Sequence, residues 1–211
     1  YAEQKNQLGT AHALLMAKPF IKNKFVLMMG DNIYSRGDIR NCIKHTYSIL
    51  VTKMKNPQNF GVVVEKNGIL ADFVEKPSKF ISDLASTAFY SLDKKIFDFI
   101  GKIKKSRRGE FEMPDAIKLL STKHKIRCIR SKKWISIGYP WDLLKADMIL
   151  RKNKNSIGSN ARISGTVKNS SIGNGCIIEG AVRNSIVMDG AIIDEKSVVE
   201  NSIIGENVHL S

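Results

Sequence analysis

The sequence predicts a mixed α/β domain over residues 1–152, followed by a left-handed parallel β-helix over residues 153–211. Two observations support this prediction. Apolar segments with strand and helix periodicity alternate along the first domain, and aliphatic residues then recur in steps of six to the end of the chain. The change falls near Arg151 to Ser156, where helical periodicity gives way to Lys-Asn-Lys-Asn-Ser.

The β-helix prediction rests on seven aliphatic residues separated by 6, 9, 6, 9, 6 and 11 positions: Ile157, Ile163, Ile172, Ile178, Val187, Ile193 and Ile204. A small or slender residue follows each of them four positions later, where a narrow prism has a crowded wall. Asn-Ser recurs at Asn169, Asn184 and Asn201, where side-chain hydrogen bonds can hold a bend. An ordinary antiparallel sheet would instead show two-residue alternation and hairpin turns.

The first domain contains several recognisable helices and strands. Phe25–Met29 is a continuous apolar run, typical of a strand buried in a parallel sheet, and it ends in Gly30-Asp31-Asn32. Asn67-Gly68 predicts the turn of a β-hairpin. The hairpin strands are expected at Phe60–Glu65 and Ile69–Lys76, and helices at Ala11–Lys18, Gly109–Leu120 and Trp141–Arg151. His12, Trp134 and Trp141 are interpreted as packed residues rather than ligands.

The net charge is +14, and the basic excess belongs to the first domain. Residues 153–211 hold five Lys/Arg and six Asp/Glu, which leaves 29 and 14 for residues 1–152. We do not expect nucleic-acid binding, because the aromatic residues lie mostly in apolar strands or helices rather than between the basic runs. A solvated surface or steering of anionic substrates is expected instead.

No feature of the sequence predicts a membrane span, a disulfide framework or a cysteine metal site. The longest apolar run is far shorter than the roughly 20 residues that cross a bilayer. Cys42, Cys128 and Cys176 are scattered. The chain opens with neither an initiator Met nor a secretory signal pattern. We therefore expect a cytoplasmic protein whose natural beginning lies upstream.

Six motifs in order along residues 1–150 resemble one family. They are Gln4 with Gln7-Leu8-Gly9-Thr10-Ala11-His12-Ala13, Gly30-Asp31-Asn32, Phe60-Gly61, Val74-Glu75-Lys76-Pro77, Gly109-Glu110-Phe111-Glu112, and Gly138-Tyr139-Pro140-Trp141-Asp142. They resemble the sugar-1-phosphate nucleotidylyltransferases, most closely those of N-acetylglucosamine 1-phosphate (uridylyltransferases) and glucose 1-phosphate (thymidylyltransferases). The resemblance implies a Rossmann-like nucleotidyltransferase domain with an appended β-helix.

The resemblance also implies the reaction and its residues. Such enzymes join a nucleoside triphosphate, UTP or dTTP, to a sugar 1-phosphate and release pyrophosphate, mainly by positioning and charge neutralisation. The implied catalytic residues are Asp31, which would hold Mg²⁺, and Lys76, which would face the sugar's phosphate. Gln4, Gly9 and Thr10 would recognise the base. Gly61, Glu75, Lys76 and Glu112 would bind the sugar phosphate.

Each of these positions also has a purely structural interpretation. Gly9-Thr10 would serve equally as a helix entry with an N-cap hydroxyl. Asp31 would fit a surface turn, and Glu75-Lys76 a solvated hairpin end. For Glu112, a capping or helix-dipole role competes with substrate binding.

The chain departs from the family pattern in three places. The family's first strand and its glycine-rich, basic triphosphate-binding loop have no counterpart, so the nucleotidyltransferase domain is expected to be incomplete, without its N-terminal third. Ser136 stands where related enzymes carry a metal-binding Asp, and Ser86 where they carry a sugar-contacting Asn. Phe25–Met29 would then expose an apolar edge that a separate N-terminal fragment or a partner chain should cover.

These departures lead to several expectations about function. Residues 1–211 alone are expected to be inactive, and a β-helix platform is expected to form a homo-oligomer. A non-catalytic regulatory or scaffolding subunit of the same family is the main alternative. Acyl transfer from an acyl-coenzyme A is a third, with His209 as the one candidate base in the repeat.

Overall fold

The computed structural model describes all 211 residues, which form two compact units, Tyr1–Ile135 and Ser136–Ser211. The helix at residues 140–151 groups with the second of these units, and the domain boundary expected after residue 152 stays a prediction. None of the helices has both the length and the apolar character that a bilayer crossing requires.

The first unit is built on a six-stranded sheet. Its strands are β1 (Phe25–Met28), β3 (Ser48–Lys53), β4 (Gly61–Lys66), β5 (Ile69–Glu75), β6 (Leu84–Leu92) and β7 (Arg127–Arg130), in the order β1-β6-β3-β7-β5-β4. Two further short strands pair with each other, β2 (Asn32–Tyr34) and β8 (Trp134–Ser136), and the last residue of β8, Ser136, is the first of the second unit. The helices are α1 (Thr10–Ala17), α2 (Arg36–Ile43), α3 (Ile96–Ile100) and α4 (Met113–Ser121). Within the six-stranded sheet, β3 and β7 pair in parallel and the other pairs are antiparallel.

The prediction that Phe25–Met29 is buried in a parallel sheet is wrong. β1 is an edge strand that pairs antiparallel with β6, and its side chains alternate between half-buried and exposed. Phe25 and Leu27 pack against the main core, whereas Val26 and Met28 are 40% and 46% exposed. A five-residue apolar run does not distinguish a fully buried strand from an edge strand with one open face.

The other elements follow the sequence patterns closely. β4 and β5 form the expected antiparallel hairpin around Asn67-Gly68, both of which have positive φ. α4 begins at Met113 rather than Gly109, because Gly109 has a φ of +81° and Phe111 lies in an extended contact with Leu8. The main core lies where α1, α3 and α4 cover one face of the sheet, and α2 covers Leu50 and Phe89 on the other.

The second unit is a parallel β-helix preceded by α5 (Pro140–Arg151). Its strands are β9 (Ser156–Ile157), β10 (Arg162–Ile163), β11 (Thr166–Lys168), β12 (Ser171–Ile172), β13 (Ile177–Ile178), β14 (Ala181–Arg183), β15 (Ile186–Val187), β16 (Ile192–Ile193), β17 (Val198–Glu200), β18 (Ile203–Ile204) and β19 (His209–Leu210). They stack in three parallel sheets, β9-β12-β15-β18, β10-β13-β16-β19 and β11-β14-β17. The predicted fold class, α/β with a C-terminal β-helix, is confirmed.

The coil length follows from the register of the strands. Ser156, Ser171 and Ile186 stand in register at 15-residue intervals, whereas Ile203 follows Ile186 after 17 residues. The inward aliphatic residues of the central coils are buried, as are the predicted small residues Cys176 and Ala191. The interior is therefore the narrow apolar prism that the repeat predicts.

The Asn-Ser bends are also confirmed. Asn169, Asn184 and Asn201 adopt left-handed conformations with φ of 48°, 48° and 49°, which Asn tolerates better than most residues. The following serines form a buried ladder, in which the Ser185 N–H donates to Ser170 Oγ at 3.1 Å. Each corner is thus held by side-chain hydrogen bonds to the coil before it.

Candidate functional site

The β4–β5 hairpin places Gly61, Glu75 and Lys76 together. Gly61 stands opposite Glu75 in the strand register. A Cβ on Gly61 would lie 2.7 Å from Phe73 Cε2 and 3.1 Å from Glu75 Oε2, so any side chain would be overpacked. The Lys76 N–H donates to Phe60 O at 3.1 Å, and Lys76 has a φ of +39°, a strained conformation for a residue with a Cβ.

Beside this hairpin end lies a cleft of about 660 Å³. It is lined by Val74, Glu75, Lys76, Pro77, Ser78, Lys79, Ile81, Ser106, Arg107, Arg108, Glu112 and Asp115. The carboxylates of Glu75 and Glu112 are largely buried, at 21% and 4% side-chain exposure, whereas the Arg108 guanidinium is 44% exposed. The cleft therefore combines buried acceptors with cationic side chains.

Arg108 links the two buried carboxylates. Its Nη1 lies 3.5 Å from Glu75 Oε1 and 3.6 Å from Glu112 Oε1, and its Nη2 lies 3.5 Å from Glu110 Oε1. Arg108 is not among the site residues expected from the sequence. The available indication was the Arg107-Arg108 pair immediately before the Gly109-Glu110 motif, which belongs to the basic charge interpreted as a solvated surface or as steering of anionic substrates.

Glu112 stands at the N-cap position of α4, but its side chain makes no capping hydrogen bond. The carboxylate instead accepts a 3.0 Å hydrogen bond from Ser106 Oγ and faces the cleft. A side-chain capping role is therefore not what holds Glu112 in place.

The pKa of Glu75 in the cleft is perturbed by its surroundings. Burial raises its pKa above the ordinary value, and the neighbouring charge of Glu112 raises it further, while Lys76 and Arg108 partly oppose both effects. Two carboxylates that share one guanidinium are arranged to accept hydrogen bonds from a polyhydroxylated ligand.

The three residues expected to recognise the base also lie together. Gln4 Nε2 donates to Gly9 O at 3.2 Å, and Thr10 Oγ1 accepts a 3.2 Å hydrogen bond from the Met113 N–H at the start of α4. Gly9 has a φ of +106°, and a Cβ there would lie 2.6 Å from Phe111 O. Glycine is thus required at this close crossing of two backbone segments.

Asp31 is an exposed residue in the turn between β1 and β2, without a contact to the cleft residues above. Its Oδ1 accepts a 2.7 Å hydrogen bond from Asn32 Nδ2, and Asn32 Oδ1 accepts one of 2.7 Å from Trp134 Nε1. Trp134 packs edge to face on Phe60, with ring centroids 5.4 Å apart. This network orients the Asp31 carboxylate. It was not predictable from the sequence, from which Trp134 was interpreted as a packed residue.

The chain has no ready-made cluster of metal-ligating side chains. Nowhere along residues 1–211 do three His, Cys, Asp or Glu side chains form a group that would hold a metal ion. Mg²⁺ commonly takes one or two protein carboxylates and completes its shell with phosphate oxygens and water. Asp31, with Oδ2 unengaged by protein, fits the role of a single carboxylate ligand to a phosphate-bound ion.

The two serines that depart from the family pattern differ in environment. Ser86 is buried, with its Oγ 3.3 Å from Tyr90 Oη and accepting from the Ala88 N–H, so its hydroxyl is already engaged. Ser136 lies in the second unit.

In the β-helix, His209 Nε2 pairs with Asp194 Oδ1 at 2.8 Å on the surface. Trp141, interpreted from sequence as packed, is 64% exposed and stacks on Tyr139.

Comparison with known proteins identifies both parts of the chain. The family model "Nucleotidyl transferase" matches residues 1–153, and the model "GlmU-like, C-terminal hexapeptide" matches residues 154–211. The bifunctional protein GlmU of Methanocaldococcus jannaschii is 39% identical over 175 residues, which cover 79% of this chain and 42% of the relative. The chain thus spans about two fifths of the length of that curated relative.

Solved structures show the same fold. A Bacillus anthracis structure, described as a glucose-1-phosphate thymidylyltransferase in complex with a sucrose, has a TM-score of 0.59 and 26% sequence identity. The match covers 70% of this chain and 63% of the solved chain. A UDP-glucose pyrophosphorylase complexed with UDP-glucose has a TM-score of 0.65 at 21% identity, covering 73% and 66%. The second likeness concerns the fold alone.

Proposed function

Because this chain belongs to the sugar-1-phosphate nucleotidylyltransferase family, we propose that it carries the sugar-phosphate and base sites of an enzyme that makes nucleotide sugars. In that reaction an oxygen of the sugar 1-phosphate attacks the α-phosphorus of UTP or dTTP. A new P–O bond forms there, the bond from the α-phosphorus to the α–β bridging oxygen breaks, and pyrophosphate leaves with that oxygen.

The observation that carries the proposal is the cleft beside Lys76. Buried carboxylates of Glu75 and Glu112 accept hydrogen bonds from sugar hydroxyls, and Lys76, Arg107 and Arg108 provide cations for a phosphate dianion. Gly61 contributes indirectly, because only glycine leaves room for Phe73 and the Glu75 carboxylate, which occupy the space that a Cβ would fill. A sugar that carries a phosphate engages both the carboxylates and the cationic side chains, whereas a neutral sugar engages the carboxylates alone and a bare phosphate the cationic side chains alone.

Asp31 is proposed as the protein ligand of the metal ion. A bound Mg²⁺ would neutralise charge on the triphosphate and so favour attack at the α-phosphorus. The chain's own contribution is to hold the Asp31 carboxylate in one orientation through Asn32 and Trp134. Lys76 and the two arginines stabilise the charge of the attacking sugar phosphate.

Calorimetry with glucose 1-phosphate and with glucose tests the sugar-phosphate site. The phosphate ester is expected to bind at least about tenfold more tightly, because each charge-assisted hydrogen bond contributes roughly 1.5–3 kcal/mol. Lys76→Ala should remove most of this difference, whereas Lys66→Ala, at the exposed far end of β4, should not. Equal binding of both sugars, or binding of neither, would contradict the proposal.

The test of catalysis is pyrophosphate release from UTP or dTTP with sugar 1-phosphates and Mg²⁺. We propose that residues 1–211 alone bind substrate without turnover. A strand from a separate N-terminal fragment or a partner chain would pair with β1, which lies at the edge of the sheet and pairs with β6 on one side alone. Turnover by residues 1–211 would contradict the requirement for that added strand but not the site assignment.

A regulatory or scaffolding subunit remains the second candidate, and one observation favours it. Ser86 uses its hydroxyl inside the protein, so the sugar loses a contact that the family's Asn would make. Sugar-phosphate binding without turnover, even after an N-terminal family segment is supplied, would support this candidate. Turnover in that assembly would exclude it.

We further propose that the β-helix forms a homo-oligomer and that the protein is cytoplasmic. Two sheets of the β-helix carry pairs of half-buried isoleucines at outward strand positions, Ile177 with Ile192 on one and Ile186 with Ile203 on the other. Each pair offers an apolar contact to another copy. Sedimentation equilibrium of the chain, with Ile192→Lys as the disrupting variant, tests the oligomer. The three buried free cysteines are compatible with a reducing compartment.

A further inference from the structure

Two acceptors fix the orientation of the Gln4 side-chain amide. Its Nε2 lies 3.2 Å from Gly9 O and 2.9 Å from His12 Nδ1. A carbonyl oxygen can only accept a hydrogen bond, so the amide atom facing Gly9 must be the nitrogen. The second amide hydrogen then points to His12 Nδ1, which must act as an acceptor, and the imidazole proton lies on Nε2.

This arrangement leaves Gln4 with one free polar atom. Both amide hydrogens are engaged, and only Oε1, an acceptor, remains for a ligand. Uracil and thymine present an N3–H donor between two carbonyl groups. Cytosine presents an unprotonated N3, which would face Oε1 as a second acceptor.

We propose that His12 is a positioning residue that makes Gln4 read the N3–H of uracil or thymine and reject cytosine. The inference rests on the proposed function, which gives Gln4 the role of contacting the base, and it adds the residue that decides which pyrimidine fits. Without His12, Gly9 O would still hold one amide hydrogen, but the second would be unpaired and free to donate to the N3 of cytosine.

The backbone around His12 is rigid enough for this role. The Ala11 N–H donates to Phe111 O at 2.9 Å, and the Phe111 N–H donates to Leu8 O at 2.8 Å. Ala11 is fully buried, so the first turn of α1 is fixed against the main core. His12 therefore occupies a set position relative to Gly9 O, the other acceptor of the amide.

The first test measures the tautomer of His12 in the ligand-free chain. Long-range ¹⁵N–¹H NMR spectra distinguish protonated from unprotonated ring nitrogens. The Nε2–H tautomer is expected, with Nδ1 unprotonated. A proton on Nδ1 would overturn the inference, because that nitrogen could not accept from Gln4.

The second test titrates the chain with uridine 5′-monophosphate and with cytidine 5′-monophosphate while the Gln4 side-chain amide signals are followed. Uridine 5′-monophosphate is expected to bind at least about tenfold more tightly, since a mismatched acceptor pair leaves a buried polar group unpaired. His12→Ala should reduce the preference to about threefold or less, while His12→Asn, whose Oδ1 can accept from Gln4, should restore part of it. His45→Ala serves as the matched control.

The outcomes separate the two proposals. Equal binding of both nucleotides to the unmodified chain, or an unchanged preference in His12→Ala, would overturn the role of His12 and leave a base site in place. If neither nucleotide shifts any signal at millimolar concentration, the base site assigned under the proposed function fails, and the role of His12 fails with it.

Discussion

The Trp134 indole N–H donates a 2.7 Å hydrogen bond to Asn32 Oδ1 across 102 positions of sequence. Asn32 uses its amide nitrogen for Asp31, so a single side chain connects the indole to the carboxylate. Trp134 also packs on Phe60, whose carbonyl accepts from the Lys76 N–H. The proposed metal ligand and the proposed phosphate ligand are thus supported by one continuous set of contacts.

Trp134→Phe is expected to break this network while keeping an aromatic ring on Phe60. Loss of one hydrogen bond with a half-buried partner should cost about 1 kcal/mol of unfolding free energy, measured by urea unfolding followed by circular dichroism. Mn²⁺ binding, measured by water proton relaxation, should weaken several-fold because the Asp31 carboxylate is no longer held.

Trp141→Phe is the matched control for that variant, because the Trp141 side chain is 64% exposed and donates no hydrogen bond within the protein. Both the unfolding midpoint and Mn²⁺ binding should be unchanged in it. Unaltered Mn²⁺ binding in Trp134→Phe would show that the network does not orient Asp31.

Lys76 combines a functional side chain with a strained backbone, and its two roles can be separated. Lys76→Gly and Lys76→Ala both remove the ammonium group and should lower the affinity for glucose 1-phosphate equally. Only glycine adopts the φ of +39° without strain, so Lys76→Gly should be about 1 kcal/mol more stable than Lys76→Ala. Equal stability of the two variants in urea unfolding would mean that the backbone relaxes on substitution.

The β-helix and the hairpin were predictable because their patterns are local. Repeats of six residues and the Asn-Gly pair each specify a conformation within a few positions, whatever the rest of the chain does. The cleft residues Gly61, Glu75 and Lys76 were predictable through the same hairpin and through family resemblance. Tertiary folding brings these residues next to Glu112, as the family resemblance implies.

The remaining site contacts join segments that sequence patterns do not connect. Arg108 reaches Glu75 across 33 positions, and Trp134 reaches Asn32 across 102, so no short motif reports either pair. The edge position of β1 depends on pairing with β6, which an apolar run of five residues does not specify. Gln4 and His12 are close in sequence, but their hydrogen bond depends on the tight turn at Gly9.

Ser185 tests the energetic importance of the serine ladder in the β-helix. Its buried Oγ accepts from the Ser202 N–H at 3.1 Å and donates to Arg183 O at 2.6 Å. Ser185→Ala leaves that N–H and one acceptor site unpaired, and should cost roughly 1–3 kcal/mol. Hydrogen exchange of the Ser202 amide should accelerate accordingly, while Ser164→Ala, at an exposed corner, should leave exchange unchanged. An unaffected Ser202 amide in Ser185→Ala would show that water replaces the hydroxyl at no cost.

The raised pKa of Glu75 predicts the pH dependence of sugar-phosphate binding. Burial, and then repulsion from Glu112, favour the protonated form in the folded protein, so protonation begins at a pH above the ordinary Glu value of about 4.3. The ionised carboxylate accepts from sugar hydroxyls, and affinity for glucose 1-phosphate should therefore fall on acidification through that raised pKa. The effect of Glu75 on folding stability has the opposite sign, because the folded state binds the proton more tightly than the unfolded state does. Protonated Glu75 therefore stabilises the folded state fully below its unfolded pKa. This stabilisation is lost as pH rises through the folded pKa.

Glu75→Gln separates this titration from that of the ligand's own phosphate. The variant should bind glucose 1-phosphate more weakly at pH 7, by about tenfold, since the amide offers one acceptor oxygen and no charge to Arg108. Its affinity should lose the part of the pH dependence that comes from Glu75 and keep the part that comes from the phosphate group, which calorimetry between pH 4.5 and 8 would measure. Asp72→Asn is the matched control, because Asp72 pairs with Lys118 at 2.7 Å and does not line the cleft. If the unmodified chain and Glu75→Gln showed the same pH profile, Glu75 would not be the group whose ionisation controls sugar binding.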